Sequence, residues 1–244
     1  MAKELSYTNH IEHYRLDAEV ADYFKPNALE AQSIRRRYQY FEKYLRPQQG
    51  GIILEVGSGG GEALNILKSS ATHYLPLDLS LKNLKVIRDK AAGLVTPLVA
   101  DGFDIPLKNE SIDMLIISEV LEHLAQPEQV LKEIFRILKK NGLAVLSVPY
   151  NEKISYQLCI HCNQLTPTNA HLHSIDEIKL KSWVESAGFS TLKVKKVNNK
   201  AAALFKMPVL LKQLPFGLYK FADDSLNKII PKPSHLLMLI SKPV

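Results

Sequence analysis

The sequence predicts an α/β fold in which a doubly wound, mostly parallel sheet carries helices on both faces. The first observation is residues 52–56, an apolar run without polar alternation, which is typical of a strand buried on both faces. The second is the glycine cluster that ends this run, after which residues 62–68 have helical spacing. The third is the recurrence of strand-length apolar runs between helical segments further along the chain. With 244 residues, we expect one domain over 1–244.

The composition indicates a globular protein and argues against a membrane-spanning or a secreted, disulfide-rich one. Hydrophobic residues make up 46% of the chain, an ordinary share for a globular protein. Residues 1–6 contain no apolar leader, and no apolar run reaches membrane-spanning length. Two cysteines, Cys159 and Cys162, are too few for a secreted disulfide framework. We therefore expect a cytoplasmic protein.

The net charge of +6 is concentrated near the C-terminus. From residue 191 onward ten lysines face two acidic residues, Asp223 and Asp224, a balance of +8, so the first 190 residues sum to −2. This distribution argues against a nucleic-acid partner, which needs a broadly basic surface. Two interpretations of the lysine-rich segment stay open: a solvated face, or a weak contact with membrane or lipid.

Residues 1–48 are predicted to form a helical cover. Residues 7–45 have mainly helical spacing, interrupted at Pro26 and Asn27. Three consecutive arginines at 35–37 point in different directions on a helix, so we expect a solvated surface and not a phosphate clamp. The side chains of His10, His13 and Tyr14 have two interpretations, helix packing or a lid over a site.

The glycine cluster, with its preceding carboxylate, suits close approach of the backbone to an anionic or nucleotide-like ligand. It runs Glu55-Val56-Gly57-Ser58-Gly59-Gly60-Gly61, and Glu62 stands where a dinucleotide fingerprint needs glycine. The next strand, residues 72–78, ends at Asp78, 21 residues beyond Gly57. A carboxylate at that distance holds the two ribose hydroxyls. Capping the next helix is the alternative role, which Ser80 also fills.

Two more apolar runs follow, at residues 94–100 and 112–118. The first precedes Asp101-Gly102-Phe103, and the second ends at Ser118. The acidic-x-Gly-x-Gly-x-Gly turn resembles the first motif of class I S-adenosylmethionine-dependent methyltransferases, and Asp101-Gly102-Phe103 is similar to the adenine-binding turn of that family. The resemblance is close over residues 50–150, the implied cofactor-binding core, and looser outside it.

The resemblance implies S-adenosyl-L-methionine as cofactor and a Rossmann-like, seven-stranded sheet with an antiparallel last strand. It also implies the residues that bind this cofactor. They are Glu55, Gly57, Ser58, Gly59, Gly61, Asp78, Leu79, Asp101, Gly102, Phe103 and Ser118.

The segment after the fourth strand contains the predicted catalytic residues Glu119, Glu122 and His123. His123 is the predicted general base, because a histidine can be neutral near pH 7; helix packing is its other interpretation. Spaced i, i+3 and i+4, the three share one helical face and can ligate a divalent cation. Their pattern resembles metal-dependent O-methyltransferases, including ubiquinone-pathway enzymes and small-RNA 2′-O-methyltransferases. There a distant histidine completes the ligands, so His171 or His173 would have to reach this site. Glu119 has further interpretations, a cofactor contact or a solvated side chain.

In the second half, Pro127 opens a helix that we expect to stop at Asn141 and Gly142, before a fifth strand over 142–148. A capping pattern at 174–177 opens another helix. Residues 191–197 alternate like an edge strand, and 235–241 are the predicted antiparallel last strand. Between them lies a helical insertion over 199–233, interpreted as extra core, a dimer contact or a lipid contact.

Residues 151–173 are predicted to be a Cys/His insertion that holds a structural zinc. Its candidate ligands are Cys159, Cys162, His171 and His173, two thiolates and two imidazoles, a set that suits tetrahedral zinc. Two alternatives stay open: unligated loop cysteines, or a histidine drawn away to Glu119, Glu122 and His123.

The sequence therefore predicts a methyltransferase acting on a small-molecule or lipid-like acceptor, at oxygen or carbon. Such transfer needs alignment of the acceptor, and an oxygen or carbon acceptor also needs a base or a metal. A non-catalytic S-adenosylmethionine-binding protein and an NAD-dependent oxidoreductase are the alternatives. We expect a monomer or a homodimer.

Overall fold

The computed structural model describes residues 7, 9–45, 51–64, 73–91 and 95–244. Two helices precede the sheet: α1 (His10–Val20) and α2 (Ala28–Leu45). Asn9 caps α1 by accepting from the Glu12 amide, and Asn27 accepts from the first amides of α2. The predicted interruption at Pro26 and Asn27 is thus confirmed.

The remaining elements alternate between strands and helices. In chain order they are β1 (Ile52–Val56), β2 (His73–Asp78), α3 (Leu81–Lys90), β3 (Leu98–Val99), β4 (Ile112–Ser118), a 3₁₀ turn (Leu121–His123), α4 (Pro127–Ile137), β5 (Leu138–Pro149), β6 (Tyr156–Leu158), β7 (Leu165–Pro167), α5 (Glu177–Ser186), β8 (Ser190–Asn199), α6 (Lys200–Leu204), α7 (Met207–Leu210), α8 (Phe216–Ile229) and β9 (Pro233–Ser241).

Seven strands form one sheet in the order β3-β2-β1-β4-β5-β9-β8. Strands β1 to β5 pair in parallel, and β9 pairs antiparallel with both β5 and β8. The predicted sheet, its antiparallel last strand and the edge position of residues 191–197 are confirmed. The order reverses between β1 and β4, which leaves a crevice at the carboxyl ends of these two strands.

The side chains of β4 alternate between two core layers. Leu115 and Ile117 face the layer that contains α4 and α5, whereas Met114 and Ile116 face the layer that contains α2 and α3. This double burial explains why residues 114–117 of β4 are all apolar and do not alternate with polar residues.

Two boundaries differ from those expected. Helix α4 ends at Ile137, and β5 begins at Leu138, four residues before the expected Gly142. Leu138 is fully buried and pairs with Ile112, so tertiary pairing outweighs the helical spacing. Asn141, with φ of +59°, lies in an irregularity of the strand. The third strand is also shorter, because β3 spans only Leu98–Val99.

Other expected elements lie partly outside the described residues or shift by a few positions. The helix expected over 62–68 falls mostly on residues outside the described ranges. Asp176, and not Ser174, caps α5, by accepting from the Lys179 amide. No helix in the described part of the chain is long and apolar enough to cross a membrane.

Candidate active site

The glycine turn after β1 is held by backbone hydrogen bonds and packs closely against neighbouring side chains. The Gly57 and Ser58 amides donate to the Leu77 carbonyl of β2. Gly57 has φ of +70°, and a Cβ there would lie 2.5 Å from Val120 Cγ2. Gly61 has φ of +71°, and its Cβ would lie 2.7 Å from Ile87 Cγ1. Glycine is therefore required at both positions, for conformation and for space.

Asp78 joins the end of β2 to this turn. Its Oδ2 accepts from the Gly59 amide at 2.9 Å, and its Oδ1 accepts from the Ser80 amide at 2.9 Å. Burial raises the pKa of Asp78, while these backbone donors oppose the shift. Ser80 caps α3 with its own hydroxyl, as expected.

A cavity of about 1070 Å³, the larger cavity, opens at the carboxyl ends of β1, β2 and β4. Seven of the predicted cofactor-binding residues line it. They are Gly57, Gly59, Asp78, Leu79, Asp101, Gly102 and Phe103.

Helix α1 closes one side of the larger cavity. The His10 ring nitrogen Nε2 lies 2.6 Å from Asp101 Oδ2, and the ring packs edge-on against Phe103. Asp101 Oδ1 accepts from the Phe103 amide at 3.1 Å. His13 and Tyr14 also line the cavity, so this helix covers part of it, and its role as a lid stays a prediction.

Glu55 lies beneath the turn and lines neither cavity described here. The hydroxyls of Tyr38 and Tyr74 both donate to its carboxylate. Burial raises the pKa of Glu55 to about 7, although the two hydroxyl donors lower it. Glu55 therefore supports the turn from the core side.

A second cavity of about 760 Å³, the smaller cavity, lies on the other side of the turn. Ser58 and Ser118 line it, together with Arg37 and His235. Ser58 Oγ, Arg37 Nε and His235 Nδ1 are buried without a hydrogen-bond partner among the described residues. Buried polar atoms of this kind normally have partners, so this cavity suits a polar ligand.

Glu119 separates the two cavities and lines both. Its Oε2 lies 3.5 Å from Arg37 and 3.4 Å from His235, and the Ser147 hydroxyl donates to its Oε1 at 2.9 Å. Burial would raise the pKa of Glu119, but Arg37 and His235 hold it well below its usual range. Glu119 is thus an ionised member of a buried charge cluster.

The expected helical face carrying Glu119, Glu122 and His123 is absent from this described segment. Glu119 has φ of +55°, and only the 3₁₀ turn Leu121–His123 follows it. Regular helix resumes at Pro127. The prediction that Glu119 ligates a cation together with Glu122 and His123 is therefore wrong for Glu119. Its carboxylate lies beside Arg37 and His235 instead.

Glu122, His123 and His171 instead form a cluster whose candidate ligand atoms lie within 4.8 Å of one another. Glu122 is 1% exposed, and neither of its oxygens has a hydrogen-bond partner among the described residues. The Leu172 and His173 amides donate to the Glu122 carbonyl, which brings the 171–173 segment to the turn.

Both histidines of this cluster have one ring nitrogen already occupied. His123 Nδ1 donates to the Ala170 carbonyl at 3.3 Å, and His171 Nδ1 donates to Glu152 at 2.5 Å. His123 Nε2 is left 4.0 Å from Glu122. Metal-binding histidines are commonly oriented in this way, by an oxygen on the other nitrogen. One carboxylate and two imidazoles are a donor set for a divalent transition metal.

Burial and the neighbouring His171 lower the pKa of His123 to about 4. Burial and the nearby Glu119 raise the pKa of Glu122 well above its usual range. His123 is thus neutral at pH 7, as expected, but it is a weak base by itself.

The four predicted zinc ligands are not gathered at one place. Cys159 and Cys162 are free thiols at the turn between β6 and β7. His171 belongs to the cluster with Glu122, and His173 Nε2 donates to the Leu124 carbonyl at 2.8 Å. This is the alternative arrangement noted for the sequence, in which a histidine joins His123. The structure does not bring the four predicted ligands together, and zinc binding stays a prediction.

Two of the three consecutive arginines of α2 are buried. The expectation of a solvated surface is wrong for Arg36 and Arg37, which are 0% and 7% exposed, and holds for Arg35. Sequence reasoning also missed His235 as a site residue. A signal for Arg37 was present: it precedes Phe41 by four residues, so both lie on the buried face of α2.

Comparisons with known proteins agree with this geometry. Residues 54–146 match the family described as a methyltransferase domain. The chain is 26% identical over 183 residues to a demethylmenaquinone methyltransferase of Clavibacter sepedonicus, covering 66% of this chain and 75% of that protein. It is 29% identical over 171 residues to a malonyl-[acyl-carrier protein] O-methyltransferase of Marinomonas sp. (strain MWYL1), covering 61% and 63%.

Among solved structures, the [4+2]-cyclase SpnF aligns with a TM-score of 0.65 at 17% identity, over 86% of this chain and 81% of that one. This likeness concerns the fold alone. The family match, by contrast, spans the glycine turn, Asp78, Asp101 and the Glu122–His123 pair. These residues line the larger cavity or belong to the cluster of Glu122, His123 and His171.

Proposed function

We propose that this chain, which belongs to the class I S-adenosylmethionine-dependent methyltransferases, methylates an oxygen or carbon atom of a small-molecule or lipid-like acceptor. Family membership carries the methyl transfer, and the oxidoreductase alternative is set aside on that ground. The choice of acceptor rests on one observation: the cluster of Glu122, His123 and His171 lies beside the predicted cofactor residues.

The residues present fit the cofactor. Asp78 has a buried carboxylate at the end of β2, suited to the ribose hydroxyls, and Asp101 and Phe103 offer an acceptor and a ring beside it. The two cavities share Gly57, Gly59 and Glu119, so a ligand longer than a nucleoside can extend across the turn. Bound S-adenosylmethionine supplies a methyl group on a sulfonium, already activated for transfer.

The smaller cavity suits the amino-acid end of this cofactor. Arg37 has an unpartnered Nε for a carboxylate, and Ser58 an unpartnered hydroxyl. The ionised Glu119 offers an acceptor for an ammonium group. A zwitterion therefore finds both charges matched in one small region.

The acceptor side of the larger cavity is lined by His13, Tyr14 and His123, and covered by the hairpin β6–β7. His123, with a pKa of about 4, is too weak a base to deprotonate an alcohol unaided. We therefore propose that Glu122, His123 and His171 hold a divalent cation. A cation there would polarise an acceptor oxygen and lower its pKa. The role of the chain is to align that oxygen and to exclude water.

The experiment is transfer of a labelled methyl group from S-adenosylmethionine to fractionated cell extract. We expect label in an organic-soluble or small-molecule fraction with the wild type and none with Gly59→Asp. That variant places a side chain at a φ of +45°, against Tyr23, in the lining of both cavities. Asp89→Ala, on the exposed side of α3, is the matched control and should keep activity. Unlabelled fractions with folded, cofactor-binding wild type would support the non-catalytic alternative.

A further inference from the structure

The insertion between β8 and β9 exposes large apolar side chains. Its outer surface, here called the insertion surface, is formed by α6, α7 and α8. Five of its side chains are 71–79% exposed: Leu204, Phe205, Leu210, Phe221 and Ile229. On α8, Leu218, Phe221 and Ile229 share one stripe, because three and eleven residues are close to whole numbers of helical turns. Apolar side chains so grouped mark an interaction surface.

The same insertion has more lysines than acidic residues. Residues 200–232 contain six lysines and only two acidic residues, Asp223 and Asp224. Asp223 points inward and accepts from the Asn198 and Asn199 amides. Asp224 is paired with Lys195 and Lys220. The outer charge is therefore positive.

The inner side of the same insertion is firmly attached to the domain. Arg36 is 0% exposed, donates to the Leu211 and Leu214 carbonyls, and stacks over the Tyr219 ring at 4.2 Å. Phe216 packs edge-on against Tyr40. The inner side of the insertion therefore packs against α2, and the exposed apolar side chains on its outer side are not needed for that packing.

The insertion also borders the smaller cavity. Ala203 of α6 and Pro208 of α7 line the smaller cavity, facing Tyr23 and Asn27 across it. Whatever binds the insertion surface therefore lies next to an opening of the cavity system.

We propose that the insertion surface docks on an anionic lipid bilayer. Exposed aromatic and aliphatic side chains on a lysine-rich segment match the chemistry of a membrane interface, where acyl chains lie beneath anionic headgroups. A second copy of this chain would bring two positive surfaces together, so charge favours the bilayer over a dimer. This proposal rests on the proposed function in one point: a lipid-like acceptor in the bilayer would lie close to the site.

The test is co-sedimentation of the full chain with vesicles of phosphatidylcholine alone or mixed with phosphatidylglycerol. We expect binding to the mixed vesicles that falls by about tenfold between low and about 0.5 M salt, and little binding to neutral ones. The double variant Leu204→Glu/Phe205→Glu should lose binding by at least about tenfold. Ile178→Glu, equally exposed on α5, is the matched control and should bind as the wild type.

Each other outcome contradicts the proposal. Absence of sedimentation at low salt, or equal loss in the Ile178→Glu control, rules out docking through this surface. A wild-type dimer in sedimentation velocity that Leu204→Glu/Phe205→Glu dissociates would assign the surface to a second copy. Calorimetric binding of S-adenosylhomocysteine, measured on the same samples, shows that the variants are folded and tests the proposed function separately.

Discussion

Asp78 Oδ2 accepts a 2.9 Å hydrogen bond from the backbone amide of Gly59. This bond joins the end of β2 to the turn after its parallel neighbour β1, beside the crevice between β1 and β4 where the sheet order reverses. The carboxylate that we assign to the ribose therefore also shapes the turn that lies against the same ligand. One residue thus couples the conformation of the turn to the affinity of the site.

Replacement of Asp78 should weaken cofactor binding more than it weakens the fold. We expect Asp78→Ala to lose about 1–3 kcal/mol of S-adenosylhomocysteine binding, because charge-assisted hydrogen bonds to the ribose are removed. Calorimetry measures the affinity, and Asp89→Ala on exposed α3 is the control. Equal affinities for the wild type and Asp78→Ala would remove Asp78 from the binding site.

Metal content should depend on His171 and not on His173. The wild type, purified without chelators, should contain about one equivalent of a divalent metal by elemental analysis, which His171→Ala should lose. His173→Ala is the matched control, because that ring donates to the Leu124 carbonyl outside the cluster. Metal retained in His171→Ala but lost in Cys159→Ser would move the site to the cysteines.

Glu55 should make stability fall as pH rises through neutrality. Its folded pKa of about 7 exceeds the ordinary value of 4.5, so the folded state binds more protons than the unfolded state between these values. Stability from this group is complete below about pH 4.5 and is lost as pH rises through 7, by about 3 kcal/mol. Urea unfolding of the wild type and Glu55→Gln at several pH values checks this. If the two pH profiles run parallel, the shift is absent.

Arg36 should matter for stability where its neighbour Arg35 does not. Arg36→Ala removes the donor to the Leu214 carbonyl and one of the two donors to the Leu211 carbonyl, and we expect a cost of about 2–4 kcal/mol. Arg35→Ala, an exposed side chain bonded to the Lys212 carbonyl, should cost less than about 1 kcal/mol. Urea unfolding gives both values, and equal costs would contradict the anchoring role of Arg36.

Much of the fold was predictable because local pattern and tertiary structure agree. The apolar run at residues 114–117 predicted the buried strand β4, and the alternation along β8 predicted the edge strand. The boundary at Leu138 was not predictable, since pairing with Ile112 decides it. The left-handed conformation of Glu119 was not predictable either. Because of it, residues 119–123 do not form the continuous helix that the spacing predicted.

The site was predictable where the ends of neighbouring parallel strands bring residues together, and not where the contact depends on how other elements pack. Gly57, Gly59, Asp78 and Asp101 follow strand ends of one sheet, so their convergence follows from the fold. The charge cluster around Glu119 needs Arg37 from α2 and His235 from β9, and no spacing along the chain indicates that contact. His171 reaches Glu122 through backbone bonds of its neighbours, which sequence reasoning left as one of two choices.

The central claim is that the crevice between β1 and β4 binds S-adenosylmethionine, and calorimetric titration of the wild type with S-adenosylhomocysteine tests it most directly. We predict a micromolar dissociation constant, no heat with NADH, and loss of binding in Gly59→Asp. No binding by the folded wild type, or equal binding by wild type and Gly59→Asp, would contradict the claim.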